Sequence, residues 1–282
     1  MRWLVAGAGG MLGRDLVPLL VARGHDVDAR DRAGLDVLDP DAVSQAVAGR
    51  DVVVNCAAYT AVDAAEEHEA DAFAVNALGP ANLARAAAAA GARVVHVSTD
   101  YVFDGAAQTP YAEDAPIAPR SAYGRTKAAG EWAVRAHAAD HLVVRTAWLY
   151  GAHGACFPRT IARVARERGA LDVVADQVGQ PTWTQDLADL IERLVTGGAP
   201  SGTYHGTSSG SASWWEFARH VVASAGLDPE IVRPTTSEAF VRPAPRPAYS
   251  VLGHGALARA GVPAVGDWED RWAQAADEVL AG

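Results

Sequence analysis

Val5-Ala-Gly-Ala-Gly-Gly-Met-Leu-Gly13 is the strongest local pattern in the chain, because an apolar run enters it and a helical pattern leaves it. The apolar run, Trp3 to Ala6, predicts a strand, and the segment from Met11 to Val21 predicts a helix. A glycine turn between a strand and a helix is typical of a dinucleotide-binding unit, since the helix N-terminus offers free N–H groups to phosphates. The alternative is a glycine-rich turn that binds no ligand.

The turn has the spacing G-x-x-G-x-x-G, formed by Gly7, Gly10 and Gly13. The commoner G-x-G-x-x-G does not fit, because position 12 is Leu. Gly7 can adopt the backbone angles of a tight turn, Gly10 lets a pyrophosphate lie against the main chain, and Gly13 lets the helix approach the sheet. We therefore predict that Gly7 and Gly10 contact a dinucleotide.

Length and composition limit the class of protein. The chain has 282 residues, half of them apolar, so a large core can form. The formal net charge of −10 argues against non-specific nucleic-acid binding. Cys56 and Cys156 are the only cysteines, which fits a reducing compartment, and no apolar stretch reaches the ~20 residues that span a bilayer. We expect a cytoplasmic protein without a nucleic-acid or membrane partner.

Strand and helix patterns alternate through the first 150 residues. Strands are predicted at 3–6, 27–30, 51–55, 93–98 and 142–147, and helices at 11–21, 40–48, 70–90 and 121–139. Strands separated by helices indicate a mostly parallel sheet that is covered on both faces. The sequence therefore predicts an α/β fold with a Rossmann-type, doubly wound parallel sheet.

The rhythm changes after Gly151. Helices are predicted at 157–168 and 186–195, with a short strand at 171–175 between them, and many Ser, Pro and Trp residues lie between 201 and 247. We predict an NAD(P)-binding domain over 1–150, rejoined by parts of 171–206. A smaller C-terminal lobe, mainly over 151–282, is expected to bind the substrate.

Two further motifs supply side chains that can move a proton. Tyr123 and Lys127 are four residues apart on a predicted helix, so they share a face, and an ammonium near a phenol lowers the pKa of the phenol. Y-x-x-x-K is frequent by chance on helix surfaces, but here it follows the glycine turn and the fourth strand. Ser98 and Thr99 end that strand, and either hydroxyl is able to polarise a carbonyl or simply to cap a turn.

Together these motifs resemble the extended short-chain dehydrogenase/reductase superfamily. Further segments resemble one family within it, the dTDP-4-dehydrorhamnose reductases, and they lie at 55–66, 75–76, 98–105, 145–151, 176–182 and 242–250. The resemblance implies that NADPH or NADH reduces the C4 ketone of dTDP-4-dehydro-L-rhamnose to give dTDP-L-rhamnose. One alternative is a C4-ketoreductase of a related dTDP-deoxysugar or dihydrostreptose pathway. The other is a non-catalytic NAD(P)-binding regulatory subunit, which the intact set of Tyr, Lys and Thr disfavours.

The resemblance also assigns roles to residues. Tyr123, Lys127 and Thr99 match the catalytic positions. The expected cofactor site further includes Gly10, Met11, Leu12, Asp36, Val37, Ala58, Tyr59, Thr60 and Val97, and the expected substrate site includes Thr99, Asp100, Tyr101 and Trp148. Met11 stands where the family often has Gln and Tyr59 where His is common, and neither departure removes a catalytic group.

Asp15 bears on metal binding and on the oligomer. Some relatives dimerise around a magnesium ion held by glutamates. At the corresponding position in the first helix, this chain has Asp15. Since we find no convincing carboxylate cluster, we predict no metal and either a monomer or a homodimer.

The choice of cofactor depends on Asp28-Ala-Arg-Asp-Arg32, where the second strand ends. A carboxylate at the end of this strand normally accepts the adenosine ribose hydroxyls, so Asp31 favours NADH. If the chain has already turned, Arg32 is able to pair with a 2′-phosphate, whereas otherwise Arg30 and Arg32 are simply solvated. We predict dual use of both cofactors with a modest preference for NADPH.

Several other side chains have plainer interpretations. Cys56 and His96 are predicted to lie in the core. His205 either lies in the core or touches the nucleotide. Trp214 and Trp215 are expected to pack the smaller lobe, although one ring could stack on a base.

Overall fold

Twelve strands and ten helices make up the computed structural model, which describes residues 1–281. The strands are β1 (Arg2–Ala6), β2 (Asp26–Arg30), β3 (Val52–Asn55), β4 (Arg93–Thr99), β5 (His141–Thr146), β6 (Leu149–Tyr150), β7 (Leu171–Val174), β8 (Val178–Gly179), β9 (Thr182–Trp183), β10 (Gly202–His205), β11 (Ala212–Ser213) and β12 (Val232–Thr235). The helices are α1 (Met11–Ala22), α2 (Pro40–Val47), α3 (Glu69–Phe73), α4 (Gly79–Ala90), α5 (Ala122–His137), α6 (Phe157–Arg168), α7 (Thr184–Thr196), α8 (Trp214–Ser224), α9 (Gly255–Arg259) and α10 (Trp268–Ala281).

Six of the strands form one parallel sheet in the order β10-β5-β4-β3-β1-β2. Its inner strands are apolar on both faces: Val52, Val53 and Val54 of β3 are all fully buried. The prediction of a Rossmann-type parallel α/β sheet is confirmed, because helices connect successive strands through the first 150 residues.

Alternation along β1 divides the core between the two faces of the sheet. Trp3 and Val5 belong to a cluster that includes Leu16 of α1 and Leu187 of α7, whereas Leu4 packs on the other face with residues of α2 and α4. The helix α7 therefore covers the same face as α1, and β10 pairs with β5 at the edge of the sheet. The chain thus returns to the sheet after it has passed through the elements that follow β5.

A separate apolar cluster holds together α6, α8, α10, β7 and β12, which we call the C-terminal lobe. Its centre is aromatic, with Tyr150, Phe217 and Trp272 fully or almost fully buried and their rings about edge to face. Three two-stranded sheets, β12–β7, β11–β8 and β6–β9, are separate from the large sheet. No helix within residues 1–281 is long and apolar enough to cross a membrane.

The predicted helix at 70–90 is interrupted, so the expectation of one regular helix is wrong in its middle. Between α3 and α4, Ala74 to Leu78 form a π-helical segment. Asn76 lies in this segment with no exposed surface, and its side chain is hydrogen-bonded rather than solvated. A π turn is often found at a functional site because it redirects one side chain inward.

Candidate active site

The glycine turn packs directly against the loop that follows β3. Gly7 has a φ of +80°, and a Cβ placed on it would lie 2.5 Å from the backbone nitrogen of Ala57, so only glycine fits. A Cβ on Gly13 would lie 2.6 Å from Cα of Ala8, which explains the close approach of α1 to the turn. These glycines hold the N-terminus of α1 at the carboxyl edge of the sheet, where open α/β sheets bind ligands.

Gly10 is the N-cap residue of α1. Among the described residues, no side chain caps the N-terminus of this helix. The Leu12 side chain is buried in the core, so Leu12 presents its backbone to the turn, and Met11 packs against the C-terminal lobe. First-turn N–H groups without a capping side chain attract an anion. The turn therefore has the chemistry that a pyrophosphate requires.

The loop at 57–60 is tied to the helix that carries the tyrosine and lysine. Asn76 accepts a hydrogen bond from the Tyr59 nitrogen at 2.8 Å and donates to the Tyr59 carbonyl at 3.1 Å. Its amide also donates to the Thr126 hydroxyl at 3.1 Å. Ala58 is half-buried and Thr60 is exposed, so this loop presents a surface beside α5. We assigned no role to Asn76 from the sequence, although an amide inside an alanine-rich helix was a signal.

The end of β4 separates the two candidate hydroxyls. Ser98 is buried and donates to Glu131 Oε1 at 2.7 Å, so it faces away from the site. The Thr99 hydroxyl donates to Asp100 Oδ1 at 2.9 Å, and Thr99 also acts on the Tyr123 phenol, whose pKa it lowers. Burial raises the pKa of Asp100 to about 6. Of the two hydroxyls, Thr99 is the one that lies beside the tyrosine.

Tyr123 lies in the first turn of α5, and its ring meets that of Tyr101 edge to face, with centroids 5.6 Å apart. Burial raises the pKa of Tyr123 to about 12, and the neighbouring Thr99 hydroxyl opposes this shift. The expectation that Lys127 lowers the pKa of this phenol is therefore wrong for this structure. A phenol with a raised pKa stays protonated at neutral pH, which is the form that donates a proton.

Lys127 lies one turn after Tyr123 and is 2% exposed. Its Nζ donates to the Val97 carbonyl at 2.6 Å, so the ammonium points toward the backbone of β4. Burial lowers the pKa of Lys127 to about 8, while the carboxylate of Glu131 acts in the opposite direction. The carboxylate of Glu131 therefore helps Lys127 to remain charged.

Glu131 is a residue of this site that sequence reasoning missed. It is fully buried one turn beyond Lys127, and its carboxylate accepts hydrogen bonds from Ser98, Arg145 and Arg135. Its spacing of four residues from the lysine was the available signal. A buried carboxylate with this many donors stays ionised, and its pKa is lowered by Arg145 against the effect of burial.

Trp148 follows β5, the strand beside β4, and its ring stacks on that of Trp214 with centroids 3.5 Å apart. Both tryptophans are half-buried. Trp215 instead donates its indole N–H to the Val232 carbonyl at 3.0 Å, inside the C-terminal lobe. The two neighbouring tryptophans therefore serve different parts of the molecule.

The segment after β2 has turned by the time it reaches the candidate cofactor residues. Asp31 Oδ1 accepts from the backbone nitrogens of Ala33 and Gly34 at 3.0 and 2.9 Å, and Arg30 pairs with Asp28. Arg32 is exposed, and no carboxylate of residues 1–281 lies within 4.0 Å of its charged nitrogens. Arg32, unlike Arg30, is thus available to a ligand.

Asp36 and Val37 lie beside the π-helical segment. Val37 is buried, and a Cβ on Gly79 would lie 2.8 Å from its Cγ2, so only glycine allows this contact. The Val37 carbonyl accepts from the Asn82 amide at 3.0 Å, whereas Asp36 is exposed. Asp36 is therefore the accessible member of the pair.

Asp15 and the histidines complete the survey of the expected residues. Asp15 accepts from the Thr184 hydroxyl, its Oδ1 lies 3.6 Å from His153 Nε2, and burial raises its pKa. No group of three or more potential metal ligands occurs in the part of the chain that the structure describes. The absence of a metal remains a prediction.

The other side chains expected in the core differ in burial. His205 is fully buried and bonds the Gly253 carbonyl at 2.8 Å, and burial lowers its pKa to about 3. It offers no surface to a nucleotide. His96 is also fully buried, and Cys56 is half-buried and packs against the core cluster of α1 and α7.

Comparisons with known proteins agree with these features. A family model described as the RmlD substrate binding domain matches residues 1–281. A probable dTDP-4,6-dihydroxy-2-methyloxan-3-one 4-ketoreductase of Streptomyces antibioticus is 51% identical over 289 residues, covering 100% of this chain and 96% of that protein. A dTDP-4-dehydrorhamnose reductase of Mycolicibacterium smegmatis is 48% identical over 281 residues, covering 99% of this chain and 86% of that protein.

A solved structure shows the same likeness. The dTDP-4-dehydrorhamnose reductase of Bacillus anthracis in complex with NADP has a TM-score of 0.94 at 37% identity. The match covers 98% of this chain and 99% of that one. The resemblance stated from the sequence motifs is confirmed.

Proposed function

This chain belongs to the RmlD substrate-binding domain family, and on that premise we propose that it reduces the C4 ketone of dTDP-4-dehydro-L-rhamnose to dTDP-L-rhamnose with a nicotinamide cofactor. The observation that carries the proposal is the grouping of Thr99, Tyr123 and Lys127 at the end of β4. The same edge of the sheet carries the glycine turn. One edge of the sheet therefore carries a proton donor, a second hydroxyl and a cofactor-binding turn, which together are what the reduction of a carbonyl requires.

The residues present fit a nicotinamide dinucleotide, because the first-turn N–H groups of α1 have no side-chain cap and lie beside the glycine turn. Met11 and Leu12 would bind the pyrophosphate through backbone N–H groups, and the loop at 58–60 would help to hold the cofactor. Bound there, the reduced nicotinamide supplies the hydride.

Tyr123 donates its phenolic proton to the C4 oxygen as that oxygen becomes an alkoxide. Its raised pKa favours the protonated form before the reaction and also favours recovery of a proton afterwards. Thr99 holds the same oxygen by a hydrogen bond, since its hydroxyl lies beside the phenol. Lys127 supplies positive charge one helical turn from the tyrosine, and it would help to hold the cofactor.

The cofactor is proposed to be NADPH or NADH, with a modest preference for NADPH. Arg32 supports this preference because it is exposed, lies just beyond β2 and has no carboxylate partner among the described residues. Asp31 supports continued use of NADH, because only one of its carboxylate oxygens is bonded by the turn. A guanidinium beside the adenosine ribose pairs well with a 2′-phosphate.

A second substrate has a specific observation in its favour. The Streptomyces antibioticus relative, at 51% identity, is described as acting on a different dTDP-linked 4-keto sugar. Reduction of the C4 ketone of a related dTDP-deoxysugar is therefore the second candidate. Both reactions use the same catalytic residues, and the shape of the pocket decides which substrate is bound.

The test is product identification with the purified chain. NADPH oxidation is measured with dTDP-4-dehydro-L-rhamnose and, separately, with dTDP-4-keto-6-deoxy-D-glucose, and each product is identified by NMR. We expect dTDP-L-rhamnose as the product of the faster reaction. Faster reduction of the second substrate would favour the alternative. Tight NADPH binding with no oxidation by either substrate would indicate a regulatory subunit instead.

A further inference from the structure

Trp148 has an unusual backbone. Its φ is +46°, and no other non-glycine residue within residues 1–281 has a positive φ. For a bulky side chain this region is unfavourable, so surrounding contacts must hold the residue there. Such outliers concentrate at sites where a side chain has to be aimed at a ligand.

Two residues lie against the Trp148 indole. Trp214 covers one face, with its ring 3.5 Å away and inclined by only 7°. Gly179 also lies against the indole, because a Cβ on it would be 2.5 Å from Cε2 of Trp148. Gly179 does not have a positive φ, so it is the missing side chain and not backbone freedom that this position requires.

One small sheet positions both Gly179 and Trp214. β8 ends with Gly179 and pairs antiparallel with β11, whose last residue, Ser213, caps α8. Trp214 is the first residue of α8, and Phe157 supports its ring from the C-terminal lobe, with centroids 4.4 Å apart. The contact therefore belongs to fixed elements and not to a free loop.

Trp148 lies at the same edge of the sheet as the reacting groups. β5 pairs with β4 so that Thr146 is opposite Thr99, and Trp148 follows two residues later. Its indole is half-buried, which leaves part of the ring accessible. A ring that is held in one position before binding loses little conformational entropy when a ligand packs against it.

We propose that Trp214 and Gly179 are positioning residues that clamp the Trp148 indole as a rigid wall of the sugar-nucleotide pocket. We call Trp148, Gly179 and Trp214 the indole clamp. The proposal rests on the proposed function, since that places Trp148 beside the sugar. It predicts that the clamp acts on sugar-nucleotide binding and leaves nicotinamide binding unchanged.

The chain provides a matched control for the test. Trp214→Leu removes the stack but keeps an apolar side chain, whereas Trp215→Leu removes the neighbouring tryptophan, which contacts Val232 and not Trp148. The stack excludes water from part of the Trp148 ring, so the tryptophan fluorescence spectrum reports it. We expect a red shift of the emission in Trp214→Leu that exceeds any shift in Trp215→Leu.

Binding is then measured on the same variants. In Trp214→Leu we expect the Kd of dTDP-L-rhamnose and the KM of the keto sugar to rise by up to about tenfold, as loss of an aromatic contact predicts. The KM of NADPH should change by less than about twofold. Gly179→Ala should shift the same constants in the same direction, because its methyl group must displace the indole.

Equal sugar-nucleotide affinity in Trp214→Leu and Trp215→Leu would overturn the proposal, as would an equal rise in the KM of NADPH. Calorimetry with dTDP-L-rhamnose requires no turnover, so the clamp is tested separately from catalysis. If the wild-type chain binds this nucleotide but reduces no keto sugar, the proposed function is contradicted. The Kd values of the variants still test the clamp in that case. A wild-type chain that does not bind it contradicts both.

Discussion

The Tyr123 site and the indole clamp lie at the ends of neighbouring strands, but different forces hold them. Lys127 is fixed by a hydrogen bond to the backbone of β4, and Tyr123 lies beside Thr99 in a buried, charged environment. The clamp is fixed by ring stacking and by close approach to a glycine. The difference suggests a division of work: the first region sets the rate of proton transfer, and the second sets the affinity for the sugar nucleotide.

The largest expected effect is on the rate. Tyr123→Phe removes the proton donor, so kcat should fall by about 10²–10⁴-fold, which is the contribution typical of a positioned acid. The Kd of NADPH should stay nearly unchanged, as measured by fluorescence titration. Tyr204→Phe is the control, because that phenol bonds the Pro200 carbonyl away from the site. Full activity in Tyr123→Phe would remove this residue from the mechanism.

The next effect separates the two cofactors. Arg32→Ala should lower kcat/KM for NADPH by about ten- to hundred-fold, because one charge-assisted contact with the 2′-phosphate is lost. The value for NADH should stay the same. Arg30→Ala is the matched control, since Arg30 is paired with Asp28. An equal loss with both cofactors would mean that Arg32 does not distinguish them.

The third effect is a shift in pH dependence. Lys127 is protonated below its pKa of about 8, so activity should decline as the pH rises through that value. Glu131→Gln removes the carboxylate that raises the pKa of Lys127, so the decline should move to lower pH. Glu167→Gln, at an exposed pair with Arg163, is the control. Thermal melts check folding, and an unshifted profile in a folded Glu131→Gln variant would disprove the link.

A smaller effect concerns stability in acid. The pKa of His205 is lowered from 6.5 to about 3, so below about pH 6.5 the unfolded chain binds a proton that the folded chain does not. The stability that the neutral ring contributes is present above pH 6.5 and is lost on acidification, by about 2 kcal/mol at pH 5. His205→Gln should therefore lose less Tm between pH 7 and pH 5 than wild type. His137→Gln, at an exposed histidine, should lose as much as wild type.

The last prediction is that removal of metal ions has no effect. We predict that EDTA changes neither the mass in solution nor the activity, because Asp15 is bonded to Thr184 and lies in no cluster of metal ligands within residues 1–281. Light scattering and an activity assay before and after chelation measure this. A fall from dimer to monomer would contradict it.

The spacing of residues along the chain predicted the parts of the site that are local. The glycine turn, the strand ends and the pair Tyr123 and Lys127 each depend on a few neighbouring residues, so a pattern of spacing reveals them. The direction of the Lys127 ammonium and the raised pKa of Tyr123 depend on burial, which no spacing reports.

Features made by distant segments were missed for the same reason. Asn76 lies in a π turn inside a run that otherwise favours a regular helix, because its amide is bonded to Tyr59 and Thr126. The indole clamp joins residues from positions 148, 179 and 214, and only the folded chain brings them together.

The account depends most on hydride delivery to C4 of the sugar. The direct measurement uses the wild-type chain, dTDP-4-dehydro-L-rhamnose and NADPH that carries deuterium at both C4 positions of the nicotinamide. We predict dTDP-L-rhamnose with one deuterium, bound to C4 of the sugar, as read by NMR and mass spectrometry. A product without deuterium, or with deuterium on another carbon, would contradict the account.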